Sequence, residues 1–152
     1  MSIIPEISQL VCEGCYDYIN TIFDRNSIML GNFQRSELRI EVPASASTIR
    51  NRLLSPPALI KWLFPQQISF PNQDLLAVNT KFQASLGLVT VKLQVDRVNS
   101  QCLRLLLSQG IDGYHEWCWG EGWGQSRLEG ISLLPLNLCQ TAILLRLRES
   151  LK

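Results

Sequence analysis

The stretch LRIEVPASASTIRNRLLSPPALIKWLF, residues Leu38–Phe64, is the most informative about the fold. It contains a strand pattern followed by a helix pattern, and one proline separates the two. Leu38, Ile40 and Val42 alternate with charged residues, which predicts a strand with one buried face. Pro43 ends that strand.

Two short helices are predicted after this strand. Ser45 or Ser47 can cap the first helix, which runs to about Leu54. Ser55 and Pro56 match an N-cap followed by a proline in the first turn, and they open the second helix. The chain therefore goes from one strand into a helix pair.

Five or six further strands follow the helix pair. Turn residues stand at Asn99-Ser100 and at Gln109-Gly110, and connections this short require antiparallel neighbours. The period-two pattern is cleanest from Val89 to Val95. The predicted strands lie at about residues 68–70, 78–84, 89–95, 103–107, 112–119 and 124–134.

The C-terminal segment is predicted to be an amphipathic helix. Pro135 ends the last strand, and Asn137 can cap the helix with Gln140 as its capping-box partner. Ile143, Leu144, Leu147 and Leu151 share one face of that helix. This order of elements indicates an α+β fold in which a curved antiparallel sheet wraps around the C-terminal helix.

Two stretches resemble a known superfamily. Leu38–Phe64 is similar to the opening strand, small-residue turn and helix pair of the START-like, pollen-allergen-like and polyketide-cyclase-like proteins, grouped as SRPBCC. The tail GISLLPLNLCQTAILLRLRESLK, Gly130–Lys152, resembles their last strand and gripping helix. The resemblance covers about residues 37–152 and implies a helix-grip domain with a hydrophobic cavity for a lipid, polyketide, hormone or pigment. It implies catalysis in only some members.

Residues 1–36 are predicted to form an N-terminal extension with no counterpart in that superfamily. Apolar residues at three- and four-residue spacing favour a helix from about Glu6 to Phe23. Cys12 and Cys15 form a CxxC in this segment. The strand that precedes a redox CxxC is missing, and a zinc site would need two further ligands, so we expect two cysteines on a partly buried helix.

Composition excludes several classes of function. The 152 residues suit one soluble domain with a real core, and the net charge of +1 gives no basis for binding nucleic acid. No apolar run is long enough to span a membrane, and the N-terminus lacks a secretory signal, so we expect a cytoplasmic protein. No metal or cofactor is predicted.

The five cysteines are an odd number in a chain of ordinary domain size, which argues against a disulfide framework. Cys102, Cys118 and Cys139 lie in strongly patterned segments. We expect them to be buried small hydrophobic residues.

The most distinctive stretch is YHEWCWGEGW, Tyr114–Trp123. On a strand, His115, Trp117 and Trp119 share one face, and that face could form the aromatic wall of a cavity. His115 is the only histidine, so it could bind the polar end of a ligand, or it could be a hydrogen-bonded core residue. The candidate ligand-binding residues are Trp62, Val78, Phe82, Val89, Val91, Leu93, Leu103, Leu105, His115, Trp117, Trp119, Leu128, Ile143 and Leu147.

Three functions stay open from the sequence. The first is non-catalytic binding or transport of a small apolar molecule. The second is an enzyme of the cyclase or hydrolase type in which His115 acts as an acid or base. The third is a protein-interaction module that uses residues 1–36.

Overall fold

The structure, a computed structural model, describes residues 31–152. The predicted N-terminal helix and the Cys12–Cys15 pair lie outside these residues. The described chain contains seven strands and three helices, in the order β1 Asn32–Glu41, α1 Ala46–Leu54, α2 Pro56–Trp62, β2 Gln67–Ser69, β3 Lys81–Leu86, β4 Val89–Val98, β5 Cys102–Gln109, β6 Asp112–Gly120, β7 Trp123–Ser132 and α3 Leu136–Ser150.

The seven strands form one antiparallel sheet in the order β1-β7-β6-β5-β4-β3-β2. The first strand therefore pairs with the last one, and every other pair is adjacent in sequence. A twisted sheet of this size curls, and α3 packs against β1 and β7 on its inner face. The predicted α+β arrangement of a curved sheet around the C-terminal helix is confirmed.

The inner and outer faces follow the predicted alternation. On β6 the side chains of His115, Trp117 and Trp119 are buried, and the residues between them are half-buried on the outer face. On β7 Ser126 and Leu128 point inward in the same way. The core lies between this inner face and the three helices, and it includes Ile49, Leu53, Leu54, Val95, Leu103, Leu136, Leu144 and Leu147.

The first strand is longer than the sequence pattern suggests. β1 begins at Asn32, where it pairs with Ser132, whereas the apolar alternation begins only at Leu38. The inward positions of the extra segment are the polar residues Gln34 and Ser36, and their side chains bond to the start of α3 and its flank. Polar residues with long-range partners carry no apolar signal, so this part of the strand was missed.

The sequence predicts a strand at Val78, and the structure corrects this. β3 begins at Lys81, and Asn79 has a φ of 70°, in the left-handed region. The Thr80 N–H donates to the Ala77 carbonyl, which closes a turn at this point. Val78 lies in that turn, and 53% of its surface is exposed.

The predicted capping box of the last helix is also wrong. α3 begins at Leu136, and its first N–H donates to Oε1 of Gln34 on β1. Asn137 and Gln140 instead direct their amides at the sheet, where Asn137 Nδ2 donates to Ser36 Oγ. The sheet therefore caps the helix, and local spacing could not reveal it.

Cys102 and Cys118 form a disulfide across β5 and β6, with their Cα atoms 4.2 Å apart. This corrects the expectation that both are simply buried hydrophobic residues. The N–H of Trp119 donates to the carbonyl of Gln101, so the two cysteines occupy a non-hydrogen-bonded pair, where facing side chains come closest. Both are half-buried on the outer face.

No helix within residues 31–152 is long and apolar enough to cross a membrane.

Candidate functional site

A cavity of about 160 Å³ lies between the inner face of the sheet and the three helices. Strands β2 to β7 supply one side of its wall, and Leu53 of α1, Trp62 of α2 and Ile143 of α3 supply the other. The period of two along each strand places these side chains inward, because every second residue faces the helices.

Eleven of the fourteen candidate residues line this cavity. They are Trp62, Phe82, Val89, Val91, Leu93, Leu103, Leu105, His115, Trp117, Leu128 and Ile143. These residues come from seven different elements. The alternation on separate strands therefore predicts a shared wall that no single stretch of the sequence shows.

The other three candidates do not line the cavity. Val78 lies in the exposed turn before β3. Trp119 is fully buried at the end of β6, against which α1 packs. Leu147 is also fully buried, and its side chain lies close to Gly124 of β7. The last two are therefore core residues beyond the end of the cavity.

The sequence reasoning missed several lining residues. Leu107 and Ala84 share the inward parity of predicted lining residues on their own strands, so this signal was available. Leu76 and Leu134 lie outside the strands and helices, and no periodic pattern marks them. The other missed residues are Leu53, Leu59, Leu63, Gln66, Ile68, Phe70, Ser85, Leu86, Ile111 and Cys139.

Two tryptophans form one part of the wall. The rings of Trp62 and Trp117 meet edge to face with their centroids 6.4 Å apart. Trp62 Nε1 donates to the carbonyl of Arg52, and the Trp62 carbonyl accepts from Nε of Arg146 on α3. The position of this ring is therefore fixed from both α1 and α3.

His115 contributes a titratable imidazole to the wall. It is buried, and its ring lies against Trp117 with 4.8 Å between centroids. Burial lowers its pKa from 6.5 to about 3, because the charged imidazolium would lose its hydration. His115 is therefore neutral near pH 7.

Nε2 of His115 lies 2.6 Å from Oγ of Ser126 on the neighbouring strand. Ser126 in turn contacts Gln140 of α3, whose Nε2 is 2.9 Å from the Ser126 carbonyl and 2.9 Å from Oγ. The same amide reaches the Ser36 carbonyl at 3.3 Å. A buried polar cluster therefore joins α3 to β1, β7 and β6 behind the histidine.

This pair has the residue types of a nucleophile and its base, but the placement does not suit catalysis. Ser126 is fully buried and does not line the cavity, so its hydroxyl cannot meet a molecule held there. A histidine whose pKa is about 3 is also a weak base near neutral pH. Among residues 31–152, no three His, Cys, Asp or Glu side chains are grouped so that they could hold a metal ion.

Solved structures share this arrangement at low sequence identity. Ginseng major latex-like protein 151 from Panax ginseng superposes with a TM-score of 0.61 and 8% identity, covering 79% of this chain and 95% of that one. The chain has the helix-grip fold.

Two other helix-grip structures are also similar. Aha1 from Colwellia psychrerythraea has a TM-score of 0.58 and 16% identity over 78% of this chain and 96% of that one. DynU16, a protein in the dynemicin biosynthetic locus, has a TM-score of 0.57 and 14% identity over 76% of this chain and 46% of that one. No family model and no curated protein sequence matches the chain. The similarity to START-like proteins is therefore a similarity of fold, namely the helix-grip fold.

Proposed function

We propose that this chain binds a small apolar molecule in the cavity beneath α3 and carries or senses it without converting it. The observation that supports this proposal is the cavity itself, about 160 Å³ in a wall of apolar side chains. Among the lining residues, only Gln66, Ser85, His115 and Cys139 are neither aliphatic nor one of the large aromatic residues. Such a wall suits an apolar guest.

A cavity of this size destabilises the folded protein. Protein interiors are packed as densely as organic crystals, and cavity volume destabilises by about 24 cal/mol per Å³. At about 160 Å³ the lost contacts amount to on the order of 4 kcal/mol. This is a large part of the stability of an ordinary domain. A guest that restores those contacts would offset the loss, which is the physical reason to expect one.

The cavity has a more accessible side where a guest could enter. Leu63, Gln66, Leu86 and Cys139 line it and are only half-buried, at the end of α2, the β3–β4 turn and the first turns of α3. The lining residues on β5 to β7 are buried. Exposed Phe64 and Leu88 stand next to this accessible side in sequence and give it an apolar rim.

The non-catalytic part of the proposal rests on His115 and Ser126. The histidine is neutral and its Nε2 is already bonded, and the serine is sealed behind it. The enzyme reading would need one of these groups to take up or release a proton beside a substrate. Neither has the exposure and pKa for that role.

Native mass spectrometry of gently purified protein tests the proposal. We expect an added mass that dissociates on denaturation, and we expect toluene to shift the NMR signals of the cavity-lining methyl groups. Protein without added mass whose cavity signals do not respond to toluene would contradict the proposal.

A further inference from the structure

If the proposed function holds, the polar groups around the cavity indicate which chemical class of ligand binds there. His115 is the one lining residue whose polar atoms are fixed by a buried network. Its Nε2 is bonded to Ser126, whereas Nδ1 has no hydrogen-bond partner among residues 31–152. Nδ1 keeps some accessible surface, and the ring that carries it borders the cavity.

The network decides which nitrogen carries the proton. The carbonyls of Ser36 and Ser126 can only accept, so the Gln140 atom beside them is the amide nitrogen, which only donates. This amide also lies 2.9 Å from Ser126 Oγ, so the Ser126 hydrogen cannot point toward it. The acceptor left for that hydrogen is Nε2 of His115, at 2.6 Å.

It follows that Nε2 accepts and that Nδ1 carries the hydrogen of the neutral ring. The opposite tautomer would leave the Ser126 hydroxyl hydrogen without an acceptor in a fully buried position, which costs about 1–3 kcal/mol. Gln140 and Ser126 are therefore positioning residues. Together they hold one N–H donor at the cavity wall.

The wall also excludes charge. None of the lining residues is Lys, Arg, Asp or Glu, and His115 is neutral near pH 7. A carboxylate or an ammonium group in the cavity would lose its hydration and find no opposite charge. The volume is close to that of an engineered cavity of about 150 Å³ that binds benzene.

We infer that the cavity selects an uncharged molecule about the size of one substituted aromatic ring, with a hydrogen-bond acceptor that binds the Nδ1–H of His115. A ketone, an aldehyde or an ether oxygen would meet this description. Without an acceptor, the N–H would be covered by apolar atoms and lose its interaction with water.

Three probes of similar ring size test this inference. Acetophenone carries a carbonyl, α-methylstyrene replaces that oxygen by a CH₂ group of the same shape, and benzoate carries a charge. Their Kd values are measured by NMR titration on the wild type and on His115→Phe, which keeps an aromatic ring but has no N–H. We expect the preference for acetophenone over α-methylstyrene to fall about tenfold in the variant, as the loss of one buried hydrogen bond predicts, and we expect benzoate not to bind.

The tautomer is read separately from ¹⁵N chemical shifts, which does not depend on the stability of a variant. His115 is the only histidine of the chain, so ¹⁵N-histidine labelling gives two ring signals. We expect Nδ1 to be the protonated nitrogen, and acetophenone to shift its signal. Ser126→Ala should remove this tautomer preference. Ser132→Ala should not, because Ser132 is a buried serine on the same strand whose hydroxyl bonds only to backbone groups.

The outcomes separate this inference from the proposed function. If both neutral probes bind and their ratio is the same in the wild type and His115→Phe, or if Nε2 carries the proton, the inference is wrong and the cavity is merely apolar. Tight binding of benzoate would also overturn it. If neither neutral probe binds, that result contradicts the proposed function as well as this inference.

Discussion

Arg146 on α3 donates from Nε to the main-chain carbonyl of Trp62, 3.0 Å away at the end of α2. Trp62 meets Trp117 of β6 edge to face, so this single bond connects the last helix to the aromatic wall of the cavity.

Replacement of Arg146 by methionine tests this connection. Methionine keeps much of the apolar stem and removes the donor, so we expect a loss of about 1 kcal/mol in the free energy of unfolding, measured by urea denaturation. Arg148→Met is the matched control, because Arg148 lies on the same helix and its side chain has no bonded partner among residues 31–152. Equal losses in the two variants would show that the bond to Trp62 contributes nothing specific.

Filling the cavity should affect stability and binding in opposite ways. Ala84 lines the cavity, so Ala84→Leu can extend into free volume, and we expect it to be neutral or to stabilise by about 1 kcal/mol while weakening toluene binding. Ala142 of α3 is buried outside the cavity, where Ala142→Leu should cost about 1–3 kcal/mol through overpacking. Similar destabilisation in both variants, with toluene binding intact in the first, would mean that Ala84 borders no usable space.

The low pKa of His115 makes a specific contribution to acid sensitivity. Between pH 6.5 and about pH 3 the unfolded chain binds a proton at this residue and the folded chain does not, so stability falls as the pH is lowered. Compared with His115→Phe, the wild type should lose about 3 kcal/mol more between about pH 7 and pH 4.

This comparison cancels the carboxyl groups, which titrate in both proteins. Urea denaturation at several pH values measures it. A difference between the two proteins that does not change with pH would mean that the histidine titrates normally in the folded state.

The disulfide gives a further prediction. Cys102 and Cys118 are separated by 16 residues, and closing a loop of this length in the unfolded chain stabilises by about 3 kcal/mol. We expect non-reducing peptide mapping to recover both cysteines in one linked peptide, and a reductant to lower the Tm of the wild type.

A Cys102→Ser, Cys118→Ser double variant is the control, because its Tm should not respond to reductant through this pair. Two separately alkylated peptides would contradict the bond. The result bears on the cytoplasmic location expected from the sequence, since disulfides persist mainly in oxidising compartments.

The sequence predicts those parts of the fold in which the spacing of apolar residues matches the face that is buried. The alternation from Val89 to Val95 and the apolar face of α3 gave both the elements and the faces that they bury. The order of elements then restricted the topology, because short turns force neighbouring strands to be antiparallel. The wall from β3 to β7 followed from these two facts.

The parts that were missed depend on contacts between distant residues. The sequence predicts a local capping role for Gln140, but its side chain bonds to Ser126 and Ser36, which are 14 and 104 positions away. A polar residue that forms its hydrogen bonds with the sheet cannot be distinguished, from the local sequence, from a polar residue that is exposed to solvent. The extent of the cavity along β6, which includes Trp117 and not Trp119, depends on where α1 packs and not on strand parity.

The most direct test of the ligand cavity is a crystal structure determined under xenon pressure. Xenon enters apolar cavities of this size without needing any specific polar contact. We predict a xenon site in the interior, in contact with Leu105, Trp117 and Ile143. Xenon found only on the surface, with these three side chains packed against one another, would contradict the account.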